Sequence, residues 1–320
     1  MELMASLIYY GGIALCIVLG AGGGSVGQGF AGGVASLETA RQRAAQGPVM
    51  QSYLLGCAFI ESGCVFSLIV SLVYLFGSSG LNETVAIVLG VAAVSMGVVA
   101  GVVGMASGRI VAASISSMAR QPYEAPRLLS LMMIAQILLE APMIFMFIIA
   151  FLARTWAVPE MTMAKTVQLL AGASIFAAGT IGPVIGQSRF CAAVCEAVGL
   201  NISMYARIFS FSFIVQAMIE TPVIFALLVS LMVMLLQPLP SATVPELLAL
   251  WIGVMGAVGF GSAGAAIGSG RAAARAALCM ARNEEQASTI ARLAIFCQAI
   301  IDTAVIYSLI ISVLIIKRCM

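Results

Sequence analysis

The sequence predicts an all-α membrane protein whose eight transmembrane helices form four tandem helical hairpins. Two observations support this. The 320 residues are 62% hydrophobic and 9% charged, where a soluble domain carries roughly 25% charged residues. The chain also falls into eight apolar runs, each long enough for the roughly 20 residues that cross a bilayer.

The runs alternate in kind. Residues 3–37, 84–108, 166–188 and 247–270 contain no Asp, Glu, Lys or Arg. Residues 48–81, 128–153, 208–245 and 293–316 each contain one charged residue, and in every case it is an acid: Glu61, Glu140, Glu220 and Asp302. From Glu61 to Glu140, to Glu220 and to Asp302 the steps are 79, 80 and 82 residues, so the chain reads as four repeats. We take these as residues 1–80, 81–160, 161–242 and 243–320. Each is a charge-free helix, a polar tip and an acid-bearing helix. The tips contain Arg41-Gln42, Arg120-Gln121, Leu200-Asn201 and Arg282-Asn283. The links contain turn formers, as in Gly77-Ser78-Ser79-Gly80 and Gln237-Pro238-Leu239-Pro240-Ser241. The start lacks a basic n-region, so the first run is expected to be a retained span rather than a cleaved leader.

The composition excludes several function classes. There is no histidine, which removes Ser/His/Asp catalysis and His-based metal sites. The cysteines are scattered, and Cys191 with Cys195 is an i, i+4 helical pair, not a metal-ligand spacing. Gly22-x-Gly24-x-x-Gly27 matches a dinucleotide fingerprint but lies inside a membrane run with no strand before it. No enzyme active site, cofactor, resident metal or nucleic-acid partner is expected. Arg41, Arg43, Arg120, Arg127, Arg207, Arg282 and Arg292 cluster at the tips, which places the tips on the cytoplasmic side.

The acids carry the functional signal. Glu61 lies 13 residues past Pro48, about 20 Å into the return helix, deep in the hydrocarbon. An ionised carboxylate there costs at least about 2.5 to 3.5 kcal/mol, and the facing charge-free runs supply no Lys or Arg. A carboxylate without a resident base is neutralised by binding a proton or a small cation. Such a group enters lipid loaded and not empty, which is the chemistry of an ion carrier. Reflection about the tips sets Gln28, Ser107, Gln187 and Ser269 level with Glu61, Glu140, Glu220 and Asp302; all four carry an uncharged oxygen. The charge-free helices are rich in glycine, which lets membrane helices approach closely.

Gly23-Ser25-Gly27-Gln28-Gly29, the Ala-Arg-Gln and Ala-Arg-Asn tips, and Phe59-Ile60-Glu61-Ser62 together resemble the c subunit, or proteolipid, of F-type rotary ATP synthases, as four fused copies over nearly the whole chain. The resemblance implies hairpins packed side by side into a ring of several copies (a c-ring), with glycine-rich helices inside and acid-bearing helices outside. It implies a non-catalytic rotor that carries H⁺ or Na⁺ past the stator a subunit and turns the gamma and epsilon subunits of the central stalk. The essential acid maps onto Glu61, Glu140, Glu220 and Asp302, and the stalk-contacting loop onto Arg41, Gln42, Arg120, Gln121, Arg282 and Asn283; the third tip departs, with Leu200-Asn201. The setting implied is an energy-coupling membrane, the bacterial inner membrane above all. The alternatives are a V-type proteolipid, against which the Ala-Arg-Gln tips stand, and a self-contained secondary transporter, against which the shared topology of all four repeats stands.

Sodium-carrying members of that family resemble one another in an inner-helix glutamine, a hydroxyl residue after the acid and a tyrosine one turn further. Along the repeats this pattern reads Gln28, Glu61, Ser62 and Phe66; Ser107, Glu140, Ala141 and Phe145; Gln187, Glu220, Thr221 and Phe225; Ser269, Asp302, Thr303 and Tyr307. No single repeat holds the whole set, so H⁺ is the expected ion, with Na⁺ at the carboxylates as the alternative. In the family the hydroxyl comes from the neighbouring hairpin, so Ala141 depletes the site of Glu61 or Glu220, whichever it faces. Finally, Arg109, Arg189 and Arg271 stand two residues beyond Ser107, Gln187 and Ser269. They turn about 200° from that column, toward the lumen of the ring, where anionic membrane lipid is the expected partner.

Overall fold

The computed structural model describes residues 2–77, 82–237 and 243–319. Eight long helices account for nearly all of them. They are α1 (Glu2–Arg41), α2 (Gln46–Gly77), α3 (Glu83–Arg120), α4 (Ala125–Trp156), α5 (Met163–Leu200), α6 (Tyr205–Leu235), α7 (Val244–Arg282) and α8 (Ala287–Cys319). All eight are long and apolar enough to cross a membrane. Residues 78–81 and 238–242, which hold most of the turn formers of two links, lie outside the described residues.

One amide residue ends each odd-numbered helix. Gln42, Gln121, Asn201 and Asn283 leave helical geometry, with φ between −146° and −129° and ψ between 65° and 97°. A short 3₁₀ turn follows in the first three hairpins, over Arg43–Ala45, Pro122–Glu124 and Ile202–Met204, and feeds the return helix. Asn201 therefore occupies the backbone position of Gln42 even though its neighbours differ. Its side chain caps the turn by accepting from Ser203 N at 3.1 Å.

The tips share one end of the molecule and the links the other. Asn201 Nδ2 donates to Ala281 O at 3.1 Å and to Glu284 Oε1 at 2.6 Å, across from the third tip to the fourth. At the opposite end, Asn82 Nδ2 donates to Pro159 O at 3.1 Å and Arg154 donates to Gly77 O. The odd-numbered helices form an inner row in the order α1, α3, α5, α7, and the even-numbered ones an outer row. Each outer helix touches its own inner helix and the inner helix of the next hairpin: α2 meets α3, α4 meets α5 and α6 meets α7. Among the described residues the inner row is open, with α1 and α2 at one edge and α7 and α8 at the other.

Glycine sets the inner spacing. A Cβ on Gly23 would overlap the backbone of Gly101, and a Cβ on Gly270 would overlap that of Gly186. Backbones touch there because no side chain separates them, which maximises dispersion contact where lipid offers no hydrophobic drive. A Gly101→Val substitution is expected to destabilise the chain by about 1 to 3 kcal/mol through overpacking, seen as a lower melting temperature in detergent. Gly47→Ala, where a Cβ meets nothing within 4 Å, should leave it unchanged.

The third and fourth tips are joined through Glu284, whose Oε1 also accepts from Ser203 Oγ at 2.8 Å. These hydrogen bonds from Asn201 and Ser203, aided by Arg207, hold its carboxyl below the usual 4.5. A lowered folded-state value means the link is complete above the usual carboxylate range and is lost as the pH falls through the lowered value. Protection factors for hydrogen exchange at the amides of residues 201–205, corrected for the intrinsic pH dependence of exchange, should thus be unchanged from pH 7 to 5 and fall only below the usual range; Glu284→Ala should lower them at pH 7.

Candidate ion-binding sites

The four acids lie on the outer row, and the first differs in exposure from the other three. Glu61 is exposed, whereas Glu140, Glu220 and Asp302 are partly buried. The difference follows from the row: each of the last three has an outer helix before it, and Glu61 does not. Among the described residues the ion pairs are Arg41–Glu38 and Arg127–Glu124, within the first two hairpins near their tips. Among those residues none of the four acids has a basic partner.

Level in the membrane is set by contacts across each hairpin. In the first, Gly24 lies against Cys64, and Gly27 against Ile60, so the stretch of α1 ending at Gln28 is at the height of Glu61. In the third, Cys191 Sγ lies 3.2 Å from Gln216 Oε1, which by the same reflection levels Gln187 with Glu220. In the second, Ser107 Oγ donates to Gln136 Oε1 at 2.7 Å, and Gln136 Nε2 donates back to Ser107 O at 3.2 Å. The Ser107 hydroxyl thus serves an amide one turn nearer the tip rather than Glu140 itself.

The hydroxyl that does reach Glu140 comes from the preceding hairpin. Ser62 Oγ stands 2.8 Å from Glu140 Oε1 and 2.6 Å from Phe59 O. A hydroxyl has one proton and two lone pairs, so this trio accommodates both charge states. With Glu140 ionised, Ser62 donates to the carboxylate. With Glu140 protonated, the carboxyl donates to Ser62 Oγ, whose own proton turns to Phe59 O. Here the residue after one acid reaches the next acid along the chain; Ala141 and Thr221 hold the same sequence position relative to Glu220 and Asp302. Among the described residues Glu220 has no hydroxyl partner, in keeping with an alanine at that position. Thr221 Oγ1 bonds Ala217 O at 3.1 Å, and Thr303 Oγ1 bonds Ile300 O at 2.6 Å.

The structure adds a column that charge patterning does not reveal. Gln136, Gln216 and Gln298 sit four residues before their acids, with 0%, 1% and 0% exposure. Cys57 holds that place in the first hairpin. A search for charge cannot see amides, yet these three repeat at the spacing of the acids. Several polar atoms at this depth have no partner: Gln187 Nε2, Ser269 Oγ and both polar atoms of the Gln298 amide. Unpartnered polar atoms in an apolar medium are costly; Ser67 Oγ and Ser114 Oγ, away from the acids, are likewise without a partner.

The remaining predicted residues are placed as follows. Arg41, Gln42, Arg120, Arg282 and Asn283 are exposed at the tips, and Gln121 is half-buried. Arg109 and Arg189 line one groove of about 470 Å³ with Phe30 and Glu196, on the face formed by inner helices alone. Arg271 is exposed on α7, outside that groove. Tyr307 is 66% exposed on α8. Among the described residues no cluster of His, Cys, Asp and Glu could hold a metal ion.

The Ser107–Gln136 pair gives a direct test of the amide column. Gln136→Leu should destabilise the folded chain by about 1 kcal/mol, the scale of interhelical hydrogen bonds in membranes. Adding Ser107→Ala should recover most of that loss in a double-mutant cycle.

Comparison with known proteins places this geometry. The family model for the ATP synthase C subunit matches residues 90–153, 170–233 and 252–315, well over half of the chain and one stretch in each of the last three hairpins. The ATP synthase c subunit of Natranaerobius thermophilus is 37% identical over 67 residues, 21% of this chain and 77% of that protein. Its counterpart in Microcystis aeruginosa is 43% identical over 65 residues, covering 20% of this chain and 80% of the relative. The chloroplastic c subunit of Euglena gracilis is 40% identical over 67 residues, covering 21% and 83%. A stretch of one such relative thus corresponds to about a fifth of this chain, the size of a single hairpin. With eight membrane-length helices, a glycine-spaced inner row and one acid on each outer helix, the chain belongs to the ATP synthase c-subunit family.

Proposed function

We propose that the chain is a rotor proteolipid that carries H⁺ on Glu61, Glu140, Glu220 and Asp302, coupling proton flow to ATP synthesis or hydrolysis without an active site of its own. The observation that carries the reading is the Glu140–Ser62–Phe59 trio. It offers a protonated carboxyl a hydroxyl acceptor and passes the hydroxyl proton to a carbonyl, so the loaded site has its hydrogen bonds satisfied inside lipid. Deprotonation leaves a carboxylate with one hydroxyl donor and no base, a state that is stable only where water or an external cation replaces the lipid. Loading and unloading are thereby confined to such a place, which a stator a subunit would provide.

The remaining assignments follow from placement. The exposed Arg and amide residues of the tips are the surface for the gamma and epsilon subunits of a central stalk, and Asn201 gives the third tip the same backbone despite its Leu200. The excess of Arg at the tips supports a cytoplasmic orientation in a bacterial inner membrane. Arg109 and Arg189, in the inner groove, and Arg271 on α7 are positioned for anionic lipid headgroups. Each repeat of about 80 residues acts as one ring segment.

ATP-driven pumping by the complex in proteoliposomes tests the ion. Acidification of the interior should proceed in nominally Na⁺-free medium, and Glu140→Gln should reduce it at least about tenfold, because one neutral, unloadable site per chain blocks every full turn. Pumping that is absent until Na⁺ is added would contradict the proton assignment.

A further inference from the structure

Each buried glutamine of the outer row stands one turn nearer the tip than its acid and at a fixed distance from a polar residue of its own inner helix. Gln136 trades two hydrogen bonds with Ser107, which lies 29 residues before it. The same offset leads from Gln216 to Gln187 and from Gln298 to Ser269. All six side chains are buried, with at most 1% exposure. In the first hairpin the offset leads from Cys57 to Gln28, where a thiol, a weak donor and weak acceptor, replaces the amide.

Resting on the carrier reading above, we infer that Gln136, Gln216 and Gln298 are positioning residues: each bonds the inner-helix residue of its own hairpin, Ser107, Gln187 or Ser269, and so fixes the rotation of the outer helix that presents the acid. Residues four apart share a face of a helix. A hydrogen bond that holds the glutamine to the inner row therefore sets the direction of Glu140, Glu220 or Asp302 one turn on. Apolar packing specifies rotation weakly in a membrane, where lipid solvates an apolar face about as well as protein does. A directional polar contact inside each hairpin supplies what packing lacks.

The polar atoms of the third and fourth hairpins complement one another as those of the second do. Ser269 Oγ and both polar atoms of the Gln298 amide are buried without partners, and they are the donors and acceptors that Ser107 and Gln136 satisfy between themselves. The contact of Gly261 with Ser308, reflected about the tip, sets Ser269 level with Ile300, midway between Gln298 and Asp302. In the third hairpin Gln187 Nε2 is an unpartnered donor. Gln216 Oε1 accepts from the weak Cys191 thiol at 3.2 Å and keeps a second lone pair. Pairing these groups removes the cost of leaving them bare in an apolar medium. The inner-helix column then acts on the acid through the glutamine. In the second hairpin the Ser107 hydroxyl is spent on Gln136, and Ser62 is the hydroxyl that touches Glu140.

Carbodiimide labelling of the purified, detergent-solubilised assembly, read carboxylate by carboxylate by peptide mass spectrometry, tests this at a temperature where melting curves show each variant folded. Gln136→Met keeps the length of the side chain and removes its hydrogen bonds. It should speed modification of Glu140 by about three- to fivefold, the factor that one interhelical hydrogen bond in a membrane corresponds to, and leave the other three acids unchanged. Ser107→Ala should do the same, and the double variant should do no more than either alone. Gln298→Met should speed Asp302 by a similar factor. A lower melting temperature with an unchanged Glu140 rate, or an equal change at all four acids, overturns the positioning role and leaves the carrier reading intact. An Asp302 rate that Gln298→Met does not alter overturns its extension to the fourth hairpin. Failure of all four acids to react in the unsubstituted assembly overturns both readings.

Discussion

Everything in this molecule answers to one constraint: a carboxylate in the middle of a membrane with no basic residue to pair with it. An ion pair would hold such an acid permanently charged and immobile. Without one, the group is stable in lipid when it carries a cation and unstable when it does not, and the proposed carrier role rests on that difference. The rest of the fold supplies this condition four times. Glycine contacts such as Gly23 with Gly101 hold the inner helices in a close row, and the row places each outer helix in the groove between two hairpins. In the second hairpin this sets Glu140 beside the hydroxyl of Ser62 on the hairpin before.

Fusion of hairpins into one chain allows the sites to diverge. Where every hairpin is a separate identical chain, each site has the same residues. Here Ala141, Thr221 and Thr303 replace one another in a single column, and Ser107 and Gln187 differ in another. The stabilising links differ as well. Asn201 and Ser203 tie the third tip to Glu284 of the fourth, a contact built from residues that the first two tips lack. The four acids therefore share a depth but not an environment.

Much of this is legible in the sequence. The eight runs, the period of the acids and the tip position all follow from hydropathy and charge, because lipid tolerates so few alternatives. Reflection alone places Gln28 near the height of Glu61, since helices of equal rise stay in register across a short tip. The order of the hairpins is not legible: a repeat looks the same from either side, and it takes contacts such as Ser62–Glu140 and Phe66–Phe147 to show that α2 leans toward α3 and α4. Nor do Gln136, Gln216 and Gln298 stand out, although they repeat with the acids, because their importance lies in burial and a neutral amide leaves no mark in a charge profile. The bond between Ser107 and Gln136 is hidden for a related reason, since one helical turn along the partner lies within the reach of a glutamine.

The central claim is that the hairpins of this chain are one segment of a ring assembled from several copies. Native mass measurement of the gently solubilised assembly tests it most directly. The account predicts a closed particle holding a whole number of 33.1 kDa chains, two or more, with four carboxylates in each. A stable, ion-translocating particle of a single chain would contradict it.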